Sequence, residues 1–129
     1  MTKYDIMQVD DDVCMRNLVR NLSRRKELSY HGVGSLNSLE ASLKGSSAKA
    51  YLVDGKFPSF EKGKEDMNAP GAFELIRAVN PEAYIMLYSS EKDGRKIADE
   101  HGVDFMSKTD DRPKEVVDAI DRYIHSRAA

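Results

Sequence analysis

An α/β fold built on a parallel sheet is what this sequence predicts, on three observations. Short apolar runs alternate with longer amphipathic segments along the chain, the pattern of repeated βα units. The clearest run, Ala50-Tyr51-Leu52-Val53, is apolar throughout, as in a strand covered on both faces. Four runs end in groups that carry chemistry: Val9 before Asp10, Asp11 and Asp12, Val53 before Asp54, Tyr88 before Ser89, and Ser107 before Lys108. Strand ends on one edge of a parallel sheet lie together, so acids distant in sequence can converge there.

The elements follow in order. Tyr4 to Val9 reads as the first strand, and Asp12 is placed to cap the helix after it. In that helix Val13, Leu18, Val19 and Leu22 recur at helical spacing, with Arg16, Arg20 and Arg24 opposite and Cys14 and Met15 as packing residues. Arg24-Arg25-Lys26, followed at once by Glu27, reads as a solvated helix end. Leu28 to Val33 is a weaker strand. A short helix from Leu36 to Lys44 follows, capped by an Asn37–Glu40 box or by Ser35.

The third strand, Ala50 to Val53, gives way to a polar stretch from Gly55 to Pro70, in which no alternating strand follows to complete a hairpin. Gly71 to Val79 reads as a helix with Ala72, Leu75, Ile76 and Val79 on one face, and Pro81 prevents its continuation. Tyr84 to Tyr88 is the fourth strand. A helix around Arg95 to His101 ends at Gly102 as a C′ glycine. Phe105 to Ser107 is the fifth strand, and a last helix from Arg112 to Ser126 turns Val116, Val117, Ile120, Tyr123 and Ile124 inward.

Composition bounds the function classes. The 129 residues suit one domain, with a core over about residues 4–125 and a long loop at about 55–70. An apolar fraction of 40% and a charged fraction of 33% describe a soluble globular protein, and no apolar stretch is long enough to span a bilayer. The net charge is −2 with both signs interspersed, which argues against nucleic-acid binding. The lone cysteine, Cys14, excludes an internal disulfide framework and fits a reducing cytoplasm, the expected location in the absence of a signal peptide's apolar core. His31, His101 and His125 are scattered without ligand spacing, so no transition-metal site is expected.

The acids have a specific chemistry. Three carboxylates at close quarters repel one another unless a hard divalent cation such as Mg²⁺ is held between them. A metal, a carboxylate nucleophile, the Ser89 hydroxyl and the Lys108 ammonium are the parts of a phosphoryl-transfer site.

Read together, Val9-Asp10-Asp11, Val53-Asp54 with Pro58 four residues on, Tyr88-Ser89-Ser90 and Ser107-Lys108 resemble the receiver domain of two-component response regulators, from Asp5 to about Ile124. The resemblance implies a flavodoxin-like, doubly wound, five-stranded parallel sheet of order 2-1-3-4-5 with five helices. It implies that Asp54 accepts a phosphoryl group from the phosphohistidine of a sensor histidine kinase, or exchanges it with a histidine phosphotransfer protein. Asp11 and Asp54 would ligate Mg²⁺ directly, Asp10 through a water, and Lys56 through its backbone carbonyl. Ser89 would follow the phosphoryl group, Lys108 would neutralise it, and Phe105 would turn as Ser89 moves. The surface of helix four, strand five and helix five would then bind a downstream protein target. Such a protein catalyses its own aspartyl phosphorylation and dephosphorylation and is not a turnover enzyme; a monomer or weak dimer is expected.

Several residues depart from the family pattern. Ser59 to Asn68 looks like an insertion of roughly ten residues, beyond ordinary loop lengths, which either gates the site or is a solvated, partly disordered loop. Thr109 follows Lys108 where the family has proline, commonly cis, so a trans bond or local strain is expected. Ser90 replaces a small apolar residue, and Ser89 to Gly102 is a few residues short. These departures leave an alternative, a receiver-like interaction module that does not use phosphate. A haloacid-dehalogenase-like phosphatase needs Thr or Val where Asp10-Asp11-Asp12-Val13-Cys14 ends in Cys14, and a flavin carrier lacks its phosphate loop after strand one.

Overall fold

Runs that are apolar on both faces have to be sandwiched between helices, and the three longest strands take the centre of the sheet. They are β1 (Thr2–Val9), β3 (Ser46–Val53) and β6 (Tyr84–Ser89), with β2 (Tyr30–Val33) and β7 (Asp104–Ser107) at the edges. The order is β2-β1-β3-β6-β7 and every pairing within the sheet is parallel, the topology expected from the sequence. These features come from a computed structural model, which describes residues 1–127, so residues 128–129 of the expected domain lie outside the described residues.

Because side chains alternate along a strand, each central strand feeds two cores. Met7, Val9, Tyr51, Val53, Ile85 and Leu87 meet α2 (Leu36–Leu43), α3 (Ala69–Val79) and α4 (Gly94–His101) on one face. Ile6, Ala50, Leu52, Met86 and Tyr88 meet α1 (Val13–Arg25) and α5 (Pro113–Arg127) on the other. The register pairs Val9 with both Val33 and Val53, Val53 with Leu87, and Ser89 with Ser107. The carboxyl ends of all five strands are therefore level, and whatever follows them shares one rim.

Local signals hold where a specific atom enforces them. Asp12 caps α1, its Oδ1 accepting from Cys14 N at 2.9 Å and Met15 N at 3.3 Å. Ser35, rather than an Asn37–Glu40 box, caps α2 by accepting from Ser38 N; Asn37 N donates to Ser59 O instead. Gly102 ends α4 in the left-handed region, φ +64°, where a side chain would be strained.

The inward faces of two helices differ from the sequence reading. In α1 the buried stripe is Met15, Val19, Leu22 and Ser23, while Val13 and Leu18 are exposed. At about 100° per residue the latter two fall outside the arc centred on Val19. Cys14, expected to pack, is exposed as well. In α3 Phe73 takes the core position, with Ala72 and Ile76, and Val79 is exposed. That helix starts at Ala69, two residues before Gly71, because Pro70 suits a first turn that needs no N–H.

The largest correction concerns residues 55–70. They are not a plain loop: β4 (Phe57–Pro58) and β5 (Glu65–Asp66) pair antiparallel, Phe57 opposite Asp66 and Pro58 opposite Glu65. The hairpin is tied down by the fully buried Phe57 and by Asn68, whose Nδ2 donates to Phe57 O at 2.8 Å. Its tip turns through Lys62, φ +63°, closed by Gly63 N donating to Phe60 O.

Candidate functional site

The rim position of each acid is fixed by backbone bonds that extend the sheet. Asp10 N donates to Val33 O at 3.0 Å, and Asp54 N donates to Val9 O at 2.9 Å. These bonds hold the first residue beyond β1 and β3 in strand-like register. Asp10 is 1% exposed, whereas Asp11 and Asp54 are half-buried. Asp10, Asp11 and Asp54 each present one carboxylate oxygen within 4.8 Å of the others. The three acids expected to converge do so.

Lys108 enters from the end of β7, its N–H held by Ser89 O at 3.1 Å. Its ammonium reaches across the rim, donating to Asp10 Oδ2 at 3.1 Å and Asp54 Oδ1 at 3.0 Å. The remaining acceptors are used locally: Asp12 N donates to Asp10 Oδ1 at 2.9 Å and Gly55 N to Asp54 Oδ1 at 2.7 Å. Asp54 Oδ2 takes no hydrogen bond among the described residues and is the open oxygen of the pair.

One ammonium between two shielded carboxylates does not balance their charge. Burial first, and then the charge of Asp10, push Asp54 up to about 7, with Lys108 opposing. Asp10 is raised by its own burial, again against the pull of Lys108. Lys108 is raised by the two carboxylates, which outweigh its desolvation.

The other expected residues are near the rim in different states. Ser89 is 1% exposed and its Oγ accepts from Glu91 N at 2.9 Å, so the hydroxyl is engaged as a turn cap. It also lies against the backbone next to Asp54: a Cβ at Gly55 would stand 2.5 Å from Ser89 Oγ, which only glycine avoids. Lys56 is exposed, its ammonium 3.6 Å from Glu91 Oε2. Phe105 is half-buried against Gly94, with the Arg95 guanidinium 5.1 Å from its ring centroid. No peptide bond is cis among the described residues, so Lys108–Thr109 is trans; Thr109 N donates to Ser107 Oγ in the turn that follows.

Two residues of the rim were not read from the sequence. Arg16, placed there on a solvated face, sends Nη1 to Asp10 O at 2.6 Å across Gly34. Its position one turn into α1, behind a capping Asp12, was the available signal. Glu65 reaches Asp11 from the hairpin, and that contact raises the Glu65 carboxyl above its ordinary value. Nothing in the sequence signals it, because it depends on how β4 and β5 pair. His31, His101 and His125 lie on β2, α4 and α5, and no histidine joins the carboxylate cluster among the described residues.

No helix among the described residues is long and apolar enough to cross a membrane. No family model matches the sequence, and no curated protein does. Solved structures do match. A CheY-like response regulator receiver domain protein from Methanospirillum hungatei superposes with a TM-score of 0.78 at 14% identity, covering 99% of this chain and 97% of that one. The receiver domain of the Francisella response regulator 1452 gives 0.77 at 11% identity, over 98% and 99% of the two chains. The BeF3-activated receiver domain of nitrogen regulatory protein C gives 0.74 at 19% identity over 100% of both. With its strand order, its helices on both faces and a likeness that spans nearly the whole chain, this protein has the fold of a CheY-like response regulator receiver domain.

Proposed function

We propose that the protein is a phosphorylation-controlled receiver in two-component signal transduction, with Asp54 as the phosphoacceptor. The observation that carries this reading is the convergence of three carboxylates and one ammonium at the carboxyl rim of the sheet. An oxygen-only donor set without histidine or thiolate suits a hard divalent cation, so Asp10, Asp11 and Asp54, with the Lys56 carbonyl, would hold Mg²⁺. When bound, that ion supplies positive charge to the phosphoryl oxygens.

The chain's own residues do the rest. Asp54 Oδ2, free of hydrogen bonds, is presented in line to phosphorus, forming an O–P bond as the P–N bond to a kinase or phosphotransfer histidine breaks and the imidazole leaves with the electron pair. Lys108 already contacts Asp54 and is positioned to pair with a phosphoryl oxygen. Ser89 exchanges its bond from Glu91 N for one to the phosphoryl group, and Phe105 follows, changing the face formed by α4, β7 and α5 for a downstream protein. Incubation with acetyl phosphate and Mg²⁺ should give a Phos-tag-retarded band, lost in Asp54→Asn and after EDTA. No retarded species with any phosphodonor would leave a phosphate-independent interaction module as the reading.

A further inference from the structure

The β4–β5 hairpin delivers a carboxylate to a rim already crowded with them. Glu65 sits in the ribbon opposite Pro58, and its carboxyl is in hydrogen-bonding contact with that of Asp11. Two carboxyl groups that touch are unfavourable unless something positive lies between them. The nearby cations are committed elsewhere. Lys108 is held by Asp10 and Asp54, Lys56 pairs with Glu91, and Arg16 donates to the Asp10 carbonyl. Lys62 and Lys64 form no ion pair among the described residues and line no bridge between the two acids. The contact is not a wandering tip, since Phe57, Asn68 and the Asn37–Ser59 backbone bond fix the base of the ribbon.

We propose that Glu65 is a fourth carboxylate of the divalent-cation site, so that cation binding seats the hairpin on the rim of the acceptor aspartate. The inference rests on the receiver reading above and extends it to a residue that the four sequence motifs do not contain. The inserted ribbon thereby reports, through its own order, whether the site is loaded.

The test is calorimetric titration of the full chain with MgCl2 and MnCl2, alongside trypsin cleavage after Lys62 and Lys64 with and without Mg²⁺. Glu65 is exposed, so Glu65→Gln leaves the fold intact. That variant should bind either ion about tenfold more weakly or worse, and lose the protection from trypsin that Mg²⁺ gives the wild type. Glu61→Gln, a hairpin acid outside the contact, should stay within about twofold. Binding unchanged or tighter in Glu65→Gln would overturn the proposal, because Glu65 would then only repel Asp11. Equal weakening in Glu61→Gln would overturn it too, by reducing the effect to general charge. Wild-type protein that binds neither ion, or Asp11→Asn that binds like wild type, would instead sink the receiver reading beneath it.

Discussion

Asp54 lies where burial and the Asp10 charge make ionisation unfavourable, and one ammonium is shared between the two acids. The sign of the resulting pH dependence is fixed. Its folded value, about 7, is above the ordinary 3.8, so the proton-linked stability is full below about pH 4 and is lost as pH rises through about 7. In EDTA, the wild type should therefore show a lower urea midpoint at about pH 8 than at about pH 5.5. Asp54→Asn keeps an acceptor for Lys108 and Gly55, so it should flatten that difference and exceed wild-type stability at the higher pH by a few kcal/mol. A wild-type slope that survives in the variant would remove Asp54 as its source. At this scale the sequence was informative about groups at strand ends, since Asp10, Asp11, Asp54 and Lys108 needed only a parallel sheet to meet. It was silent on Arg16 and Glu65, whose partners are chosen by tertiary placement.

Helix α4 shows how two local effects compete. A Cβ at Gly94 would stand 2.6 Å from Phe105 Cε1, so Gly94→Ala has to displace the ring. Replacing glycine favours the helix by up to about 1 kcal/mol, whereas overpacking costs about 1–3 kcal/mol. The net expectation is a loss of about 1 kcal/mol together with shifted Phe105 ring resonances, read by thermal melts and NMR. An unshifted Phe105 would show that the ring does not press on Gly94. The element scale is also where the sequence reading erred. Strands of two residues, as in β4 and β5, carry no period to detect, so the ribbon passed as a loop. Val13, Leu18 and Val79 are apolar yet exposed, because matching spacing does not fix which arc of a helix meets the sheet.

For the molecule as a whole, the sheet separates two apolar layers that share its central strands. Leu39 on one side and Ile120 on the other are both fully buried. Truncating either to alanine should lower stability by about 2–5 kcal/mol, and the double variant should lose close to the sum, since the two sites share no partner. Circular dichroism and tyrosine fluorescence should still report a single transition, because β1, β3 and β6 belong to both layers. Separate transitions would mean that the layers melt independently. The strand alternation was legible from the sequence in advance, and the order of strands followed from the resemblance rather than from the apolar pattern.

The exposed thiol of Cys14, in the first turn of α1 and three residues beyond Asp11, has a practical consequence. As the chain's one cysteine it takes a maleimide dye or a nitroxide at a single defined point, without any engineered residue. A probe attached there stands beside the acidic rim, so the native sequence already provides an optical or magnetic handle on whatever docks at that edge.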